Sequence, residues 1–270
     1  MNFSLATFRN KGPETALAAL DRMPGAQRNG DYFLLRAQVL DAMGKAQGAA
    51  AALNQGMRAA PTRADLYFSA ALFLIKHEQL GQVQSLLQQA IRAVPDSPQL
   101  LLTQAIALGL AKQFDPSQAI LRQIETRWPE WAQAYLIHGI TLVGQAKSEA
   151  AKPLLETAIE LGSRDPLAYY NLALANMESY PADVPAAEKA INKALELNPN
   201  DAYTQSLAGR IAYTQNDYPT ALQHLTEAVR LWPDMVEAHQ TLSGTYRALG
   251  DKEKSVAELK EVLRIKQQIR

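Results

Sequence analysis

The sequence has no cysteine in 270 residues, which excludes disulfide bonds, zinc sites built on thiolates and thiol nucleophiles. This absence suits a reducing and an oxidising compartment equally, so redox chemistry leaves the compartment open. The sequence also lacks a secretory signal and any apolar run of the roughly 18 residues that a membrane span needs. We therefore expect a soluble chain, cytoplasmic by default and periplasmic if the chain is an excised fragment.

An excess of charge of one sign is also missing. Lys and Arg number 27, Asp and Glu number 27, and neither half of the chain departs far from neutrality. Proteins that bind nucleic acid present a basic stripe to the phosphate backbone. Nucleic acid is therefore not an expected partner.

Motifs for catalysis and metal binding are absent as well. None of the four histidines has a second histidine or a carboxylate at a metal-ligand spacing, and His138 is interpreted as a core histidine. There is no Gly-x-Ser-x-Gly turn, phosphate loop or dinucleotide fingerprint. The sequence predicts a chain that is not an enzyme and that holds no cofactor and no metal.

Small residues, by contrast, return at a fixed interval. Three columns of positions repeat with the same steps, and they begin at Ala37, Ala49 and Gly56. Prolines such as Pro61 and Pro95 follow the third column. The step is 34 residues throughout, except for one step of 36. The first column is Ala37, Ala71, Ala105, Gly139, Ala173, Gly209 and Ser243. The chain is therefore an array of one repeated unit.

Each unit is predicted to form two helices. In residues 132–163, two segments with apolar residues at helical spacing flank a break at Ala146, Lys147 and Ser148. The small residues allow two helices to approach closely, and the prolines end helices between units. The two extra residues of the longer step fall in the segment MESYPADVP, which we predict to be a longer turn.

These units resemble tetratricopeptide repeats, which are 34-residue helix-turn-helix units with the pattern Trp-x-x-Leu-Gly-x-x-Tyr, Ala-x-x-x-Phe, Pro. One unit here has Tyr135, Gly139, Leu142, Ala151 and Leu155 at the matching positions. The resemblance implies an all-α, right-handed superhelical solenoid of antiparallel helix pairs, with about seven repeats. The predicted organisation is a partial repeat in 1–29 and an array in 30–270, with units 30–63, 64–97, 98–131, 132–165, 166–201, 202–235 and 236–270.

Both ends carry a prediction. The position 34 residues before Ala37 is Phe3, so we predict that the chain begins inside the first helix of an earlier unit and was cut from a longer protein. The second helix of that unit is predicted from Pro13 to Met23. The last helix alternates in charge and is predicted to cap the stack against water, the alternative being that it rests on a membrane surface.

In this family the first helices line a concave surface, and the corresponding residues here are unusually apolar. The resemblance implies a non-catalytic scaffold or adaptor whose groove takes a peptide or helical segment of another protein, with polar anchors at the edges. The predicted groove residues are Phe68, Leu72, Ile75, Lys76, Leu102, Ile106, Leu136, Ile140, Tyr170, Asn171, Leu174, Met177, Arg210 and Tyr213. Lys76, Asn171, Arg210 and Tyr213 are the anchors of this set.

Other interpretations of the same residues stay open. The apolar side chains can instead pack against adjacent first helices, pair with a second copy in a homodimer, or belong to the regulatory repeat region of a larger multidomain protein. A clamp for chaperone carboxylates is not expected, because the first three units have apolar residues such as Leu34 and Phe68 where it needs Lys, Asn and Arg. Tyr169, Tyr170 and Tyr180 are predicted to form an aromatic cluster for binding.

Overall fold

The structure, a computed structural model, describes residues 12–268, and within that range it contains α-helices and one short 3-10 helix (Gly25–Gln27) but no strand. The prediction of an all-α fold is confirmed. The predicted helix around Phe3 lies outside the described residues. The α-helices are α1 (Pro13–Asp21), α2 (Gly30–Ala42), α3 (Ala46–Ala59), α4 (Ala64–Lys76), α5 (Leu80–Ala93), α6 (Pro98–Leu110), α7 (Phe114–Arg127), α8 (Ala132–Val143), α9 (Ser148–Glu160), α10 (Pro166–Glu178), α11 (Val184–Leu197), α12 (Ala202–Thr214), α13 (Tyr218–Leu231), α14 (Val236–Ala248) and α15 (Lys252–Gln268).

The chain divides into two compact units, unit 1 up to Trp128 and unit 2 from Pro129. In unit 1, α1 packs on α2, and the pairs α2–α3, α4–α5 and α6–α7 follow. In unit 2 the pairs are α8–α9, α10–α11, α12–α13 and α14–α15. Within each unit the first helices of neighbouring pairs also contact one another, so each unit has a first-helix face and a second-helix face.

The small residues of the first column lie where the two helices of a pair approach most closely. A Cβ added at Gly139 would lie 2.6 Å from Leu155 Cγ, and one at Gly209 would lie 2.5 Å from Leu225 Cγ. Both leucines are fully buried. Unit 1 has alanine at the same position, and Ala71 is fully buried too. The column stays small because a larger side chain would push the helices of a pair apart.

The turn between the helices of a pair repeats one backbone conformation. The turn residue has a positive φ in the left-handed region, and the residue after it donates its amide to a carbonyl of the first helix, as Lys45 N does to Leu40 O at 2.9 Å. These residues are Gly44 (φ 70°), Glu78 (57°), Lys112 (58°), Ala146 (56°), Asn216 (63°) and Gly250 (85°). The α10–α11 connection differs, since it carries the two extra residues and closes with Asp183 N donating to Asn176 O at 3.0 Å.

A second recurring bond joins each of several first helices to the proline that precedes it. Tyr67 Oη donates to Pro61 O at 3.1 Å, and Gln205 Nε2 donates to Pro199 O at 2.8 Å. His239 Nε2 lies 2.8 Å from the carbonyl oxygen of Pro233. These bonds satisfy carbonyl groups that lie between helix pairs, and they hold the segment between pairs in place.

Candidate functional site

Unit 1 has a cleft of about 210 Å³ on its first-helix face, between α2 and α4. Leu34 and Asp41 line one wall, and Leu72 and Lys76 line the other. Phe68, Leu72 and Lys76 are four residues apart, so they share one side of α4. The side chains of Phe68 and Leu72 are 37% and 46% exposed, so an apolar stripe borders this cleft.

A polar cluster closes one end of the same cleft. Lys76 Nζ donates to Asp41 Oδ2 at 2.7 Å, and His77 Nε2 lies 3.0 Å from Asp41 Oδ1. The hydrogen bonds from Lys76 and then His77 hold the pKa of the Asp41 carboxyl below its usual value. Lys76, predicted as a polar anchor, is therefore paired, although its side chain stays largely exposed. Sequence reasoning missed Asp41, because the sequence did not show that this residue of α2 reaches Lys76 of α4.

Unit 2 has a first-helix cleft of about 200 Å³ formed by α10, α12 and α14. Tyr170 and Leu174 of α10 face Arg210 of α12 across it, and Tyr203 and Glu237 also line it. Burial raises the pKa of the Tyr170 phenol, and the charge of Arg210 partly offsets that rise. Arg210 is exposed, so this cleft pairs an aromatic wall with a cation at its mouth. Tyr203 and Glu237 were not predicted, because the sequence did not show which residues of α12 and α14 reach α10.

Three of the predicted groove residues are buried. Leu102, Leu136 and Asn171 have almost no exposed surface, and Asn171 Nδ2 donates to Leu167 O within its own helix at 2.8 Å. A partner cannot reach these side chains in this structure. Internal packing, which the sequence left open as an alternative, describes them.

Five more predicted residues are half-buried: Ile75, Ile106, Ile140, Met177 and Tyr213. Ile75 packs on the core of unit 1, and Ile140 and Met177 pack on cores of unit 2. Tyr213 lies close to Gly244, where an added Cβ would be 3.1 Å from the tyrosine hydroxyl. Of the predicted set, the structure brings Leu72 and Lys76 together in one cleft and Tyr170, Leu174 and Arg210 in the other.

The three tyrosines predicted as an aromatic cluster are separate. Tyr170 faces the first-helix cleft, whereas Tyr169 lines a cleft of about 690 Å³ on the second-helix face, between α9 and α11. Tyr180 is 99% exposed in the α10–α11 connection. A smaller second-helix cleft of about 430 Å³ lies between α3 and α5 in unit 1. Only first helices were expected to form binding surfaces, so both second-helix clefts were missed.

Metal-binding groups and membrane-spanning helices are absent from the described part of the chain. No group of three or more His, Asp or Glu side chains in residues 12–268 could hold a metal ion. No helix in the same range is long and apolar enough to cross a membrane.

The sequence matches two models of the tetratricopeptide repeat family, one over residues 138–202 and one over residues 212–270. Both matches lie in unit 2. A search of curated proteins found no match to this chain.

Solved structures share the fold at low sequence identity. The APC/C hetero-tetramer Cut9-Hcn1 aligns with a TM-score of 0.68 at 15% identity, over 93% of this chain and 56% of that chain. PilF of Pseudomonas aeruginosa aligns with a TM-score of 0.68 at 17% identity, over 75% of this chain and 91% of that chain. Yeast Tom70 aligns with a TM-score of 0.67 at 13% identity, over 93% of this chain and 53% of that chain. The chain thus spans about half the length of two of these three structures.

Identities this low show the fold alone. Together with the two family matches and the helix pairs, they agree with the repeat seen in the sequence. Repeats of this kind generally serve as non-catalytic scaffolds for protein interactions. The chain therefore contains tetratricopeptide repeats, which are matched in residues 138–202 and 212–270.

Proposed function

We propose that the chain is a non-catalytic scaffold that binds a segment of another protein on the first-helix faces of its repeats. The observation that carries this proposal is the exposed apolar stripe of Phe68 and Leu72 beside the cleft of unit 1. A surface that is already formed needs little reorganisation on binding. Each large apolar side chain removed from water there contributes about 1.5–3 kcal/mol before ordering costs are deducted.

The chemistry of the unit 1 cleft favours an amphipathic segment. Its walls offer Leu34 and Leu72 to an apolar side chain, and its end offers the Asp41–Lys76 pair to a polar group. A helix with apolar residues three and four positions apart would match the four-residue spacing of the stripe on α4. We propose such a helix as the ligand of unit 1.

The unit 2 cleft offers a second point of contact. Tyr170 and Leu174 provide an apolar wall, and the exposed guanidinium of Arg210 provides a positive charge beside it. A segment with an aromatic or aliphatic side chain next to a carboxylate would use both features. The Cut9-Hcn1 structure is a hetero-tetramer, and it supports a role in assembly because a chain of the same fold is held there in a complex.

The test begins with a partner identified by cross-linking and mass spectrometry, whose affinity is then measured by calorimetry. The double variant Phe68→Ser/Leu72→Ser should bind at least 10-fold more weakly, with helicity and melting temperature close to those of the unchanged chain. The matched control is Leu110→Ser, because Leu110 is an exposed leucine of unit 1 that does not line this cleft. Arg210→Gln should weaken binding further if the segment reaches unit 2.

Two results would contradict the proposal. Unchanged affinity of the double variant, together with a loss of affinity in Leu172→Ser, would move the interface to the second-helix cleft that Leu172 lines. Light scattering that shows a dimer of the unchanged chain and a monomer of the double variant would favour self-association through the same stripe.

A further inference from the structure

The outer side of α15 presents a stripe of aliphatic side chains that no described helix covers. Val256, Leu259 and Leu263 are 51%, 48% and 59% exposed. Their spacing of three and four residues places them on one side of the helix. We call these three residues the α15 face.

The equivalent side of the preceding second helix is an interface inside the array. The residues 34 positions earlier are Leu222, Leu225 and Val229 of α13. Leu225 is fully buried in a cluster with Ala238 and Leu242 of α14, and Leu222 and Val229 pack against that cluster. Helix α14, the first helix of the next pair, thus covers this side of α13 with its small residue Ala238 and with Leu242. The α15 face continues the surface through which neighbouring pairs stack.

Basic side chains border the α15 face. Lys252 and Lys260 lie four residues before and after Val256, and Lys266 lies three residues after Leu263. All three are exposed, and none forms an ion pair with a carboxylate in residues 12–268. Several other charges of this helix are paired, as in the contacts of Lys254 with Asp251 and of Arg264 with Glu261. Glu253 is exposed and unpaired in residues 12–268 as well, so the three lysines leave a net positive unpaired charge around the apolar stripe.

We propose that the α15 face is a second docking surface, which takes an amphipathic α-helix of another protein with small and aliphatic residues in its stripe and acidic residues on its flanks. The stacking of α14 on α13 supports a helix as the occupant, and the three lysines support acidic flanks. This surface is separate from the first-helix clefts, so it does not depend on the function proposed above.

The probes are two helix-stapled, fluorescent peptides based on residues 234–250, which contain α14. The acidic peptide carries Gln240→Glu and Arg247→Glu, and the basic peptide carries Glu237→Lys and Gln240→Lys; all three residues are exposed in the chain. Stapling is needed because isolated helices of this length are marginal in water. Fluorescence anisotropy against the full chain should give at least 10-fold tighter binding for the acidic peptide, with a difference that shrinks as salt is raised.

Variants of the chain then locate the binding. Leu259→Lys/Leu263→Lys should weaken binding of the acidic peptide at least 10-fold, while the circular dichroism spectrum of the chain stays unchanged. The matched control is Leu197→Lys, since Leu197 is an exposed leucine at the end of α11, outside the α15 face. Leu197→Lys should leave the affinity unchanged.

Several outcomes would overturn the proposal. One is no binding of either peptide, and another is equal binding to the unchanged chain and the double variant. A concentration-dependent dimer that the double variant abolishes would make a second copy the occupant. Binding to phosphatidylserine vesicles that the double variant abolishes, without binding of the acidic peptide, would make a lipid surface the occupant.

Discussion

At the residue that precedes the second helix of each pair, unit 1 has Lys45, Gln79 and Gln113, and none of these side chains caps the helix. Unit 2 has Asp183, Asp217 and Asp251 at this position, and each accepts the amide of the residue three positions later. The first pair of unit 2 has Lys147 there, and its side chain does not cap the helix. The backbone is nearly the same in both units, since Gln113 has φ −89° and ψ 71° and Asp217 has φ −82° and ψ 73°. The difference therefore lies in the side chain and not in the turn.

The close approach within pairs shows a parallel difference. Two of the four pairs of unit 2 use glycine against a buried leucine, at Gly139 and Gly209, and the other two have Ala173 and Ser243, whereas all three pairs of unit 1 use alanine. Helix α6 of unit 1 buries residues on several sides, among them Leu100, Leu101 and Leu108. The same helix pair is thus built in unit 1 by apolar burial and in unit 2 with more caps and glycine contacts. Both family matches lie in unit 2, so unit 1 keeps the architecture without a match of its own.

The largest expected effect tests how far unit 1 depends on apolar burial. Leu102→Lys should destabilise the chain by about 3–5 kcal/mol, because it removes a buried leucine and places a charge where Leu102 is only 7% exposed. Urea denaturation followed by circular dichroism measures this change.

The control for Leu102 is Phe68, one repeat earlier at the same position and 37% exposed. Phe68→Lys should cost about 1 kcal/mol or less, because the ammonium group can reach water. Equal losses in the two variants would show that the first-helix face of unit 1 is sealed at Phe68 as well.

A smaller effect tests the glycine contact of unit 2. Gly139→Ala should destabilise the chain by about 1–2 kcal/mol, because the new Cβ would lie 2.6 Å from Leu155 Cγ in a filled core. Gly109→Ala in unit 1 should instead stabilise it by up to about 1 kcal/mol, because the nearest atom to the new Cβ is Ser117 Oγ at 3.8 Å and alanine favours a helix. Denaturation midpoints that move in the same direction would contradict this interpretation of the contact.

Removing a helix cap from unit 2 and adding one to unit 1 should shift the free energy of unfolding in opposite directions, each by about 1 kcal/mol. Asp183→Ala removes the bond from Ala186 N, which is 3.0 Å long, and should lower the free energy of unfolding. Gln113→Asp should raise it, because its backbone already matches that of the capped position. Gln113→Asn is the control for charge: a gain with Asp but not with Asn would assign the effect to the helix dipole and not to the cap.

Much of the fold follows from the sequence for a physical reason. A hairpin of helices needs small residues where its backbones approach, and residues such as Gly139 and Ala71 recur at that interval. The longer step at MESYPADVP correctly located the one connection within a pair that differs in residues 12–268, because two extra residues cannot fit the repeated turn. The boundary at Trp128 carried no signal, since the 34-residue step continues through it.

The binding surface was less accessible to prediction. Leu102 and Phe68 occupy the same position in successive repeats, yet one is buried and the other is exposed. Sequence spacing states which side of a helix a residue takes, but exposure depends on how neighbouring pairs are packed. The pairing of Asp41 with Lys76 and the closeness of Tyr170 to Arg210 depend on the same packing between repeats.

The smallest expected effect concerns the turns within helix pairs. In both units the positive-φ position of these turns is glycine in some pairs and, in others, a residue for which a positive φ is unfavourable. Lys112→Gly should stabilise the chain by about 0.5–1 kcal/mol. It relieves a left-handed conformation that costs about 1–2 kcal/mol, but glycine also raises the conformational entropy of the unfolded chain, which offsets part of the gain. Gly44→Ala should do the reverse by a similar amount. No atom lies within 4 Å of the Cβ that Gly44→Ala adds, so only backbone strain can account for its loss. Thermal unfolding of both variants checks the pair, and a stabilised Gly44→Ala would show that these turns relax without cost.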